Sequence, residues 1–515
     1  MWGIIVAILV LSLVIIIHEL GHFLAARRAG ILCHEFSLGM GPVLWSKKVG
    51  ETVYAVRAIP LGGYVAMAGE EVEDEMVKKD QQIRIITEGN VISEIILDHA
   101  DPQYEEYELI TVNDYDLKGV EGSRLHINNM EVKRDAFYVM KKHRIQIAPA
   151  DRNFNYKNKR QRFLTIFGGP FMNFVLAFFV FILFAFLQGF PSTDSTVIGE
   201  TSEGMPAHDV LLPGDKIIFI NGDNPLTWMD GDNPDSVTSI LNEYMGVREL
   251  IFIVERNGAQ VTLDPITPII FFYSVGFHSA EDTVDVLEVG PITETTQADK
   301  AGMQEGDIIT EIDGVTMTSW QDVIDAISAN TDGSDMKITV ERNGVSVAPL
   351  TIVEPWELNV IEKQNLSMVD SIIGISPEYE FNFGKSIVYG FVGIKNSATM
   401  ISDTLSLLFG SSQVGVGDLA GPVGIYQITN NALSQGFVSL LGWVGLLSVN
   451  LGVINLLPIP ALDGGRLFFL GAEAVGIKVS NRVENRLHYM MYLLLLGLFV
   501  FITYNDIVRL INSIF

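Results

Sequence analysis

Four stretches of this chain, 2–26, 163–190, 437–457 and 487–504, stay apolar over the ~20 residues that a helix needs to cross a bilayer. The first contains LSLVIIIHELGHFLAARR (11–28), in which His18, Glu19 and His22 interrupt a hydrophobic run. Ionisable side chains at membrane depth cost on the order of 3 kcal/mol each, so by default they mark function. A signal peptide does not fit this start, because there is no basic leader and the apolar run continues through the charged chemistry to Arg27 and Arg28. The chain therefore reads as an α-helical integral membrane protein with four transmembrane helices. Its 515 residues are 48% hydrophobic, which leaves room for folded domains beside the spans. A formal net charge of −28 argues against nucleic acid as a partner, since duplex binding needs a basic face. Cys33 is the sole cysteine, which excludes an internal disulfide framework and a CxxC metal knuckle.

Basic residues predict the orientation. Arg27, Arg28, Lys47 and Lys48 follow the first span, Lys157, Lys159, Arg160 and Arg162 precede the second, and Arg466, Lys478, Arg482 and Arg486 separate the third from the fourth. The stretches 188–215 and 396–436 contain no lysine or arginine. Both termini are therefore expected outside, with 27–162 and 458–486 facing the cytoplasm and 191–436 external.

Between the spans, residues 39–68 are rich in Val, Tyr and Ile and turn near Lys47–Glu51, as a membrane-associated β-hairpin does. Residues 69–156 are acidic and carry short alternating runs such as IRIITEG, read as a small cytoplasmic β-rich insertion; a partly disordered loop is the other reading of that charge. The external region repeats itself. LLPGDKIIFINGD (211–223) matches MQEGDIITEIDGV (303–315), and VERNG occurs at 254–258 and 340–344. The run AGMQEGDIITEIDG resembles the signature of PDZ domains, which implies two extracytoplasmic PDZ-like α+β domains at about 193–275 and 283–356. Such modules take an extended peptide onto a sheet edge, or serve only as spacers and size filters. Residues 381–436 show apolar positions at helical spacing, expected as an amphipathic helix on the outer membrane surface or against those modules.

On a helix, positions four apart share a face, so His18 and His22 can present two imidazoles to one ion. Catalytic zinc takes three protein ligands plus water, and Glu19 stands where a carboxylate reaches that water rather than the metal. A histidine pair bonded to backbone is the structural alternative. A third ligand is required. His34 and Glu35 lie nearby beyond the double arginine, but Asp463 in NLGVINLLPIPALDGGRL (450–467) is the stronger candidate. Pro458 and Pro460 break the third span there, and Gly464 and Gly465 permit close backbone approach. An aspartate on broken backbone at membrane depth is expected where it lines a site, although it can also cap a helix.

HELGH in the first span, GGPFMN (168–173) heading the second, NLLPIPALDGG in the third and the PDZ-like repeats together resemble the bacterial site-2 protease family of intramembrane zinc metalloproteases. The match covers most of the chain, the insertion at 69–156 least. The resemblance implies that His18, His22 and Asp463 bind Zn2+, that Glu19 is catalytic, and that Asn450 and Asn455 hold the unwound substrate, with the hairpin pairing to it. It implies the bacterial plasma membrane, single-span membrane proteins such as anti-sigma factors or remnant signal peptides as substrates, and hydrolysis of their transmembrane segments. In GGPFMN the small residues are expected to pack closely; Asn173 is able to hydrogen-bond near the site, with packing its expected role. The remaining histidines, His488 among them, have no ligand-like partner in sequence. Two other classes carry HELGH or PDZ-like repeats. A membrane zincin for protein quality control would use glutamate or histidine as third ligand, and a non-enzymatic PDZ scaffold or metal transporter would not need Glu19.

Overall fold

The computed structural model describes residues 2–70, 76–140, 143–192, 195–228, 234–244, 249–280, 286–293, 296–363, 367–410, 415–477 and 479–512. The expected module starts at 193 and 283, and Lys478, lie outside the described residues. The chain divides into two compact units, Met1–Ile182 with Gly390–Ala398 and Ala420–Phe515, and Leu183–Tyr389 with Thr399–Leu419.

The first unit is built on helices α1 (Trp2–Arg28), α2 (Lys159–Gln188), α3 (Pro422–Ser434), α4 (Phe437–Leu456), α5 (Asp463–Ala474) and α6 (Asn481–Asn512). By length and composition four helical segments among the described residues, Trp2–Arg28, Lys159–Gln188, Phe437–Leu456 and Arg486–Ile511, are able to cross a membrane. Val10 and Val14 of α1 bury against Val444 and Leu447 of α4, with Leu176 and Val180 of α2 packed beside them. α2 crosses α1 at glycines: a Cβ on Gly168 would sit 2.7 Å from the Gly21 carbonyl oxygen, so only bare backbone allows this approach. The helix α3 packs within the bundle. Its Gly424 N–H donates to the buried Asp506 carboxylate of α6 at 2.8 Å, so a carboxylate from a neighbouring helix satisfies one of the orphan donors at its N-terminus.

Strands β1 (Cys33–Val49) and β2 (Thr52–Met67) form more than a flat hairpin. Residues 35–38 pair with 53–56 on one side and with 63–66 on the other, while 43–49 pair with 52–57. The two strands thus wind into four strand segments in the order 43–49, 52–57, 35–38, 63–67, the two outer pairings antiparallel and the central one, 35–38 with 53–56, parallel. Gly39, Gly41 and Gly62, all at positive φ, let the chain turn back within each strand. The Arg57 guanidinium pins the register by donating to Glu35, Ser37, Tyr64 and the Gly41 carbonyl. A core of Phe23, Ala26, Cys33, Val65, Met67, Ile166 and Leu470 then fastens this sheet to α1, α2 and α5.

Residues 82–146 form a seven-stranded sheet with its own core of Ile83, Ile92, Ile95, Ile127, Val132 and others. Glu51, at the tip of the β1–β2 turn, ties this sheet to the hairpin, accepting from Arg152 at 2.6 and 2.7 Å and from Gln146 at 2.7 Å.

The second unit holds two cores. The first gathers Ile198, Ile217, Trp228, Phe252 and Ile373, and the second Phe272, Phe277, Ile309, Trp320, Ile338 and Val369. Residues Ile269–Phe272 pair with Val369–Ile372 and pack in the second core, whereas Ile198–Thr201 pairs with Ile375–Pro377 and completes the first. The stretch 193–275 therefore gives its last strand to the second core, and the second module lies nested inside the chain of the first. The sequence repeat recurs as one contact made twice. Asp215, 2% exposed, accepts from Arg256 at 2.6 and 2.7 Å, and Asp307, fully buried, accepts from Arg342 at 2.6 and 2.8 Å.

Candidate active site

His18, Glu19 and His22 occupy the C-terminal half of α1, with His18 about 15 Å along the axis from Arg28 at the 1.5 Å rise of a helix. The spacing of four puts both imidazoles on one face, and that face meets α2. A Cβ on Gly169 would overlap the His22 ring, so the second glycine of GGPFMN makes space for the imidazole. The Nδ1 of His22 lies 2.9 Å from the Thr165 carbonyl oxygen, which can only accept. That fixes the proton on Nδ1 and leaves the Nε2 lone pair facing inward.

Asp463 arrives from the other end of the chain. α4 ends at Leu456, Pro458 and Pro460 forbid its continuation, and α5 begins at Asp463 itself. A Cβ at Gly464 or Gly465 would strike the carbonyls of 456–457 or Ile459, so the turn folds directly over the start of α5. The Asp463 Oδ2 thereby comes 3.2 Å from His18 Nε2 and 3.3 Å from His22 Nε2, and the two Nε2 atoms are 3.2 Å apart.

Three electron-pair donors thus converge on one point. Oδ2 of Asp463 is buried and receives no well-formed hydrogen bond. With metal–ligand bonds of about 2.0–2.1 Å, the ligand atoms of a tetrahedral zinc site stand about 3.3–3.4 Å apart, close to the spacing of these three. Two neutral imidazoles and one carboxylate, whose inward oxygen is buried and orphaned, are a donor set that fits zinc.

Asn173 of α2, fully buried, approaches His18 Nδ1 at 3.2 Å through its amide, while its Oδ1 is left without a partner. Exchanging the two amide atoms, which share one outline, lets Oδ1 accept from Nδ1–H and turns the His18 Nε2 lone pair inward. The sequence favours packing for this residue over a bond near the site. The structure gives it a contact with the site, and the signal was its place five residues after Gly168 on a helix packed against HELGH. The Asn173 carbonyl in turn accepts from Ser448 of α4 at 2.8 Å.

Glu19 is half-buried and makes no hydrogen bond or ion pair among the described residues, so its carboxylate is free to handle a proton. Its Cγ would lie 3.2 Å from a Cβ on Gly63, which places the 63–67 strand against it. That strand pairs with 33–38 on one side and with no strand on the other among the described residues. Neither Asn450 nor Asn455 makes a side-chain hydrogen bond to the trio among the described residues: Asn455 donates to Leu451 O of its own helix at 3.0 Å, and Asn450 is partly buried on α4.

Two histidines and an aspartate converging inside an apolar helix bundle, with an uncommitted glutamate beside them, define a metal-dependent hydrolase of membrane-embedded type. The sequence profile of peptidase family M50 matches residues 6–498. Similar proteins include the zinc metalloprotease RasP of Geobacillus kaustophilus, 32% identical over 97% of this chain and 96% of that protein, and the RasP proteins of Shouchella clausii and Bacillus licheniformis, each 30% identical over 98% of both chains. The chain belongs to peptidase family M50, as a metalloendopeptidase of the site-2 protease type.

Proposed function

We propose that this protein is a zinc protease of the bacterial plasma membrane that cuts transmembrane segments of single-span membrane proteins near their cytoplasmic ends. The convergence of His18, His22 and Asp463 beside a free Glu19 carries this reading. These three residues hold the ion, which when bound supplies the Lewis acidity that activates water and polarises a peptide carbonyl. Glu19 takes the proton of the attacking water and hands it to the departing amine. The harder step is exposing the bond. A membrane helix hides its carbonyls in internal hydrogen bonds, and an extended segment survives in lipid only if other groups replace those bonds. The unpaired side of 63–67 offers a strand edge next to Glu19, and Asn450 and Asn455 offer amides, so that the unwound peptide is held with its carbonyl at the ion.

Both termini and the two PDZ-like modules face outward in this reading, and residues 27–162 face the cytoplasm, as the distribution of Lys and Arg suggests. The modules exclude substrates whose ectodomains are uncut, or take peptide ligands on their sheet edges. Anti-sigma factors and remnant signal peptides are substrates of the right form.

The test is purification in detergent with metal analysis and cleavage of a panel of single-span peptides. Glu19→Gln is expected to keep zinc and to lose about 10²–10⁴ of the rate, the worth of a positioned general base. Undiminished cleavage by that variant would sink the assignment.

A further inference from the structure

The turn that delivers Asp463 contains a backbone conformation that asks for an explanation. Ala461 has φ of +78°, in the left-handed region that a residue bearing a Cβ occupies only under restraint. Its N–H finds no partner within the turn. It donates instead to Nδ1 of His488, on α6, at 2.7 Å. A backbone N–H only donates, so Nδ1 is the bare nitrogen and the ring proton sits on Nε2, which faces the Glu484 carboxylate 3.9 Å away. The ring is further held against Phe469 of α5, with centroids 5.7 Å apart. His488 thus touches both flanks of Asp463, the turn before it and the helix after it.

We propose that His488 is a positioning residue for the metal site: by holding Ala461 left-handed, it fixes the direction from which the Asp463 carboxylate enters the trio. The inference rests on Asp463 being a zinc ligand. The turn has little slack to find that direction otherwise, since Leu462 N–H already donates to Ile459 O at 3.1 Å and Gly465 N–H to Leu462 O at 3.1 Å. A flip at Ala461 to an ordinary φ would rotate the peptide two residues before the ligand. The role also gives α6 a share in the site, to which it contributes no ligand. His488 borders a cavity of about 1000 Å³ together with Glu70, Ala461, Arg466, Phe469 and Glu473, so its side chain can be exchanged without overpacking.

The experiment measures zinc affinity of the full-length protein by chelator competition, alongside cleavage of a single-span peptide. His488→Phe keeps a ring against Phe469 and removes the acceptor, and is expected to weaken zinc binding on the order of 10- to 100-fold, as loss of such supporting contacts does. His488→Asn, whose Oδ1 takes the place of Nδ1, should stay close to wild type. Ala461→Gly removes the restraint on φ, so His488→Phe should lose much less zinc affinity in that background. The proposal is overturned if His488→Phe binds zinc as wild type does, or if His488→Asn is no better and Ala461→Gly gives no relief. Asp463→Asn separates the two levels. If it retains zinc, the ligand assignment fails and the positioning role with it; if it loses zinc while the His488 variants keep theirs, only the positioning role fails.

Discussion

Gly169 and His22 touch at a place where one added methyl would decide whether the imidazole can stay. Gly169→Ala is therefore expected to displace the ring, lowering the zinc-to-protein ratio after dialysis and the cleavage rate together, while the apolar packing of α2 against α4 persists. The pair of histidines was legible from spacing alone, because a separation of four on a helix allows one geometry. Asp463 was legible for a different reason: prolines and glycines at the end of an apolar run announce broken backbone, and a carboxylate there needs a purpose. What spacing could not convey is the crossing of α1 and α2. That crossing converts Asn173 from a packing residue into a neighbour of His18, and it makes the Thr165 carbonyl a partner of His22. The tie from His488 to Ala461 was equally hidden, since it depends on the φ of one alanine 27 residues upstream.

The hairpin shows how an element can be foreseen in kind and missed in form. Alternating Val, Tyr and Ile predict strands over 39–68, but not that 35–38 would lie between two segments of β2, nor that 63–67 would end beside Glu19. Register of that sort is set by Arg57 and by glycines at positive φ, which act across the sheet rather than along the sequence. At the tip of the hairpin, the bidentate contact with Arg152 holds the Glu51 carboxyl down at about 2, against an ordinary 4.5. A depressed carboxylate stabilises the fold above its unfolded value and loses that contribution as pH falls toward the folded one. The protection factors of residues 143–152, observed exchange corrected for the intrinsic slowing by acid, should thus fall as pH drops from about 4.5 toward 2. Glu51→Gln should show the lower protection already at neutral pH and lose the pH step. In the repeat, Asp307→Ala removes the buried acceptor of Arg342 and of the Gln304 N–H, and should lower the protection of strand Met336–Arg342 by about 1–3 kcal/mol.

At the level of the whole molecule, four apolar segments and two repeats were enough to predict a helical membrane protein carrying sheet-rich domains. The nesting of the second module in the first was not readable, because strand 375–377 is too short to carry a pattern and pairs with residues some 177 positions away. The nesting changes how the modules should be removed. Ser192 N–H donates to Glu378 O at 2.8 Å, and Pro191 pairs with Tyr379, so a short Gly-Ser linker joining 192 to 378 excises both modules without stretching the chain. Under the size-filter reading, that variant should cut substrates with intact ectodomains in a gel-based assay, and unchanged selectivity would count against the filter.

The same return strand sets a timetable for the newborn polypeptide. The inner module has every strand it needs once residue 372 has emerged, whereas the outer one, begun some 170 residues earlier, must wait for 375–377 before its first sheet is closed. A chain stalled in that interval exposes the bare flank of Ile198–Thr201 to whatever extended peptide is near, and nascent copies side by side would be the nearest.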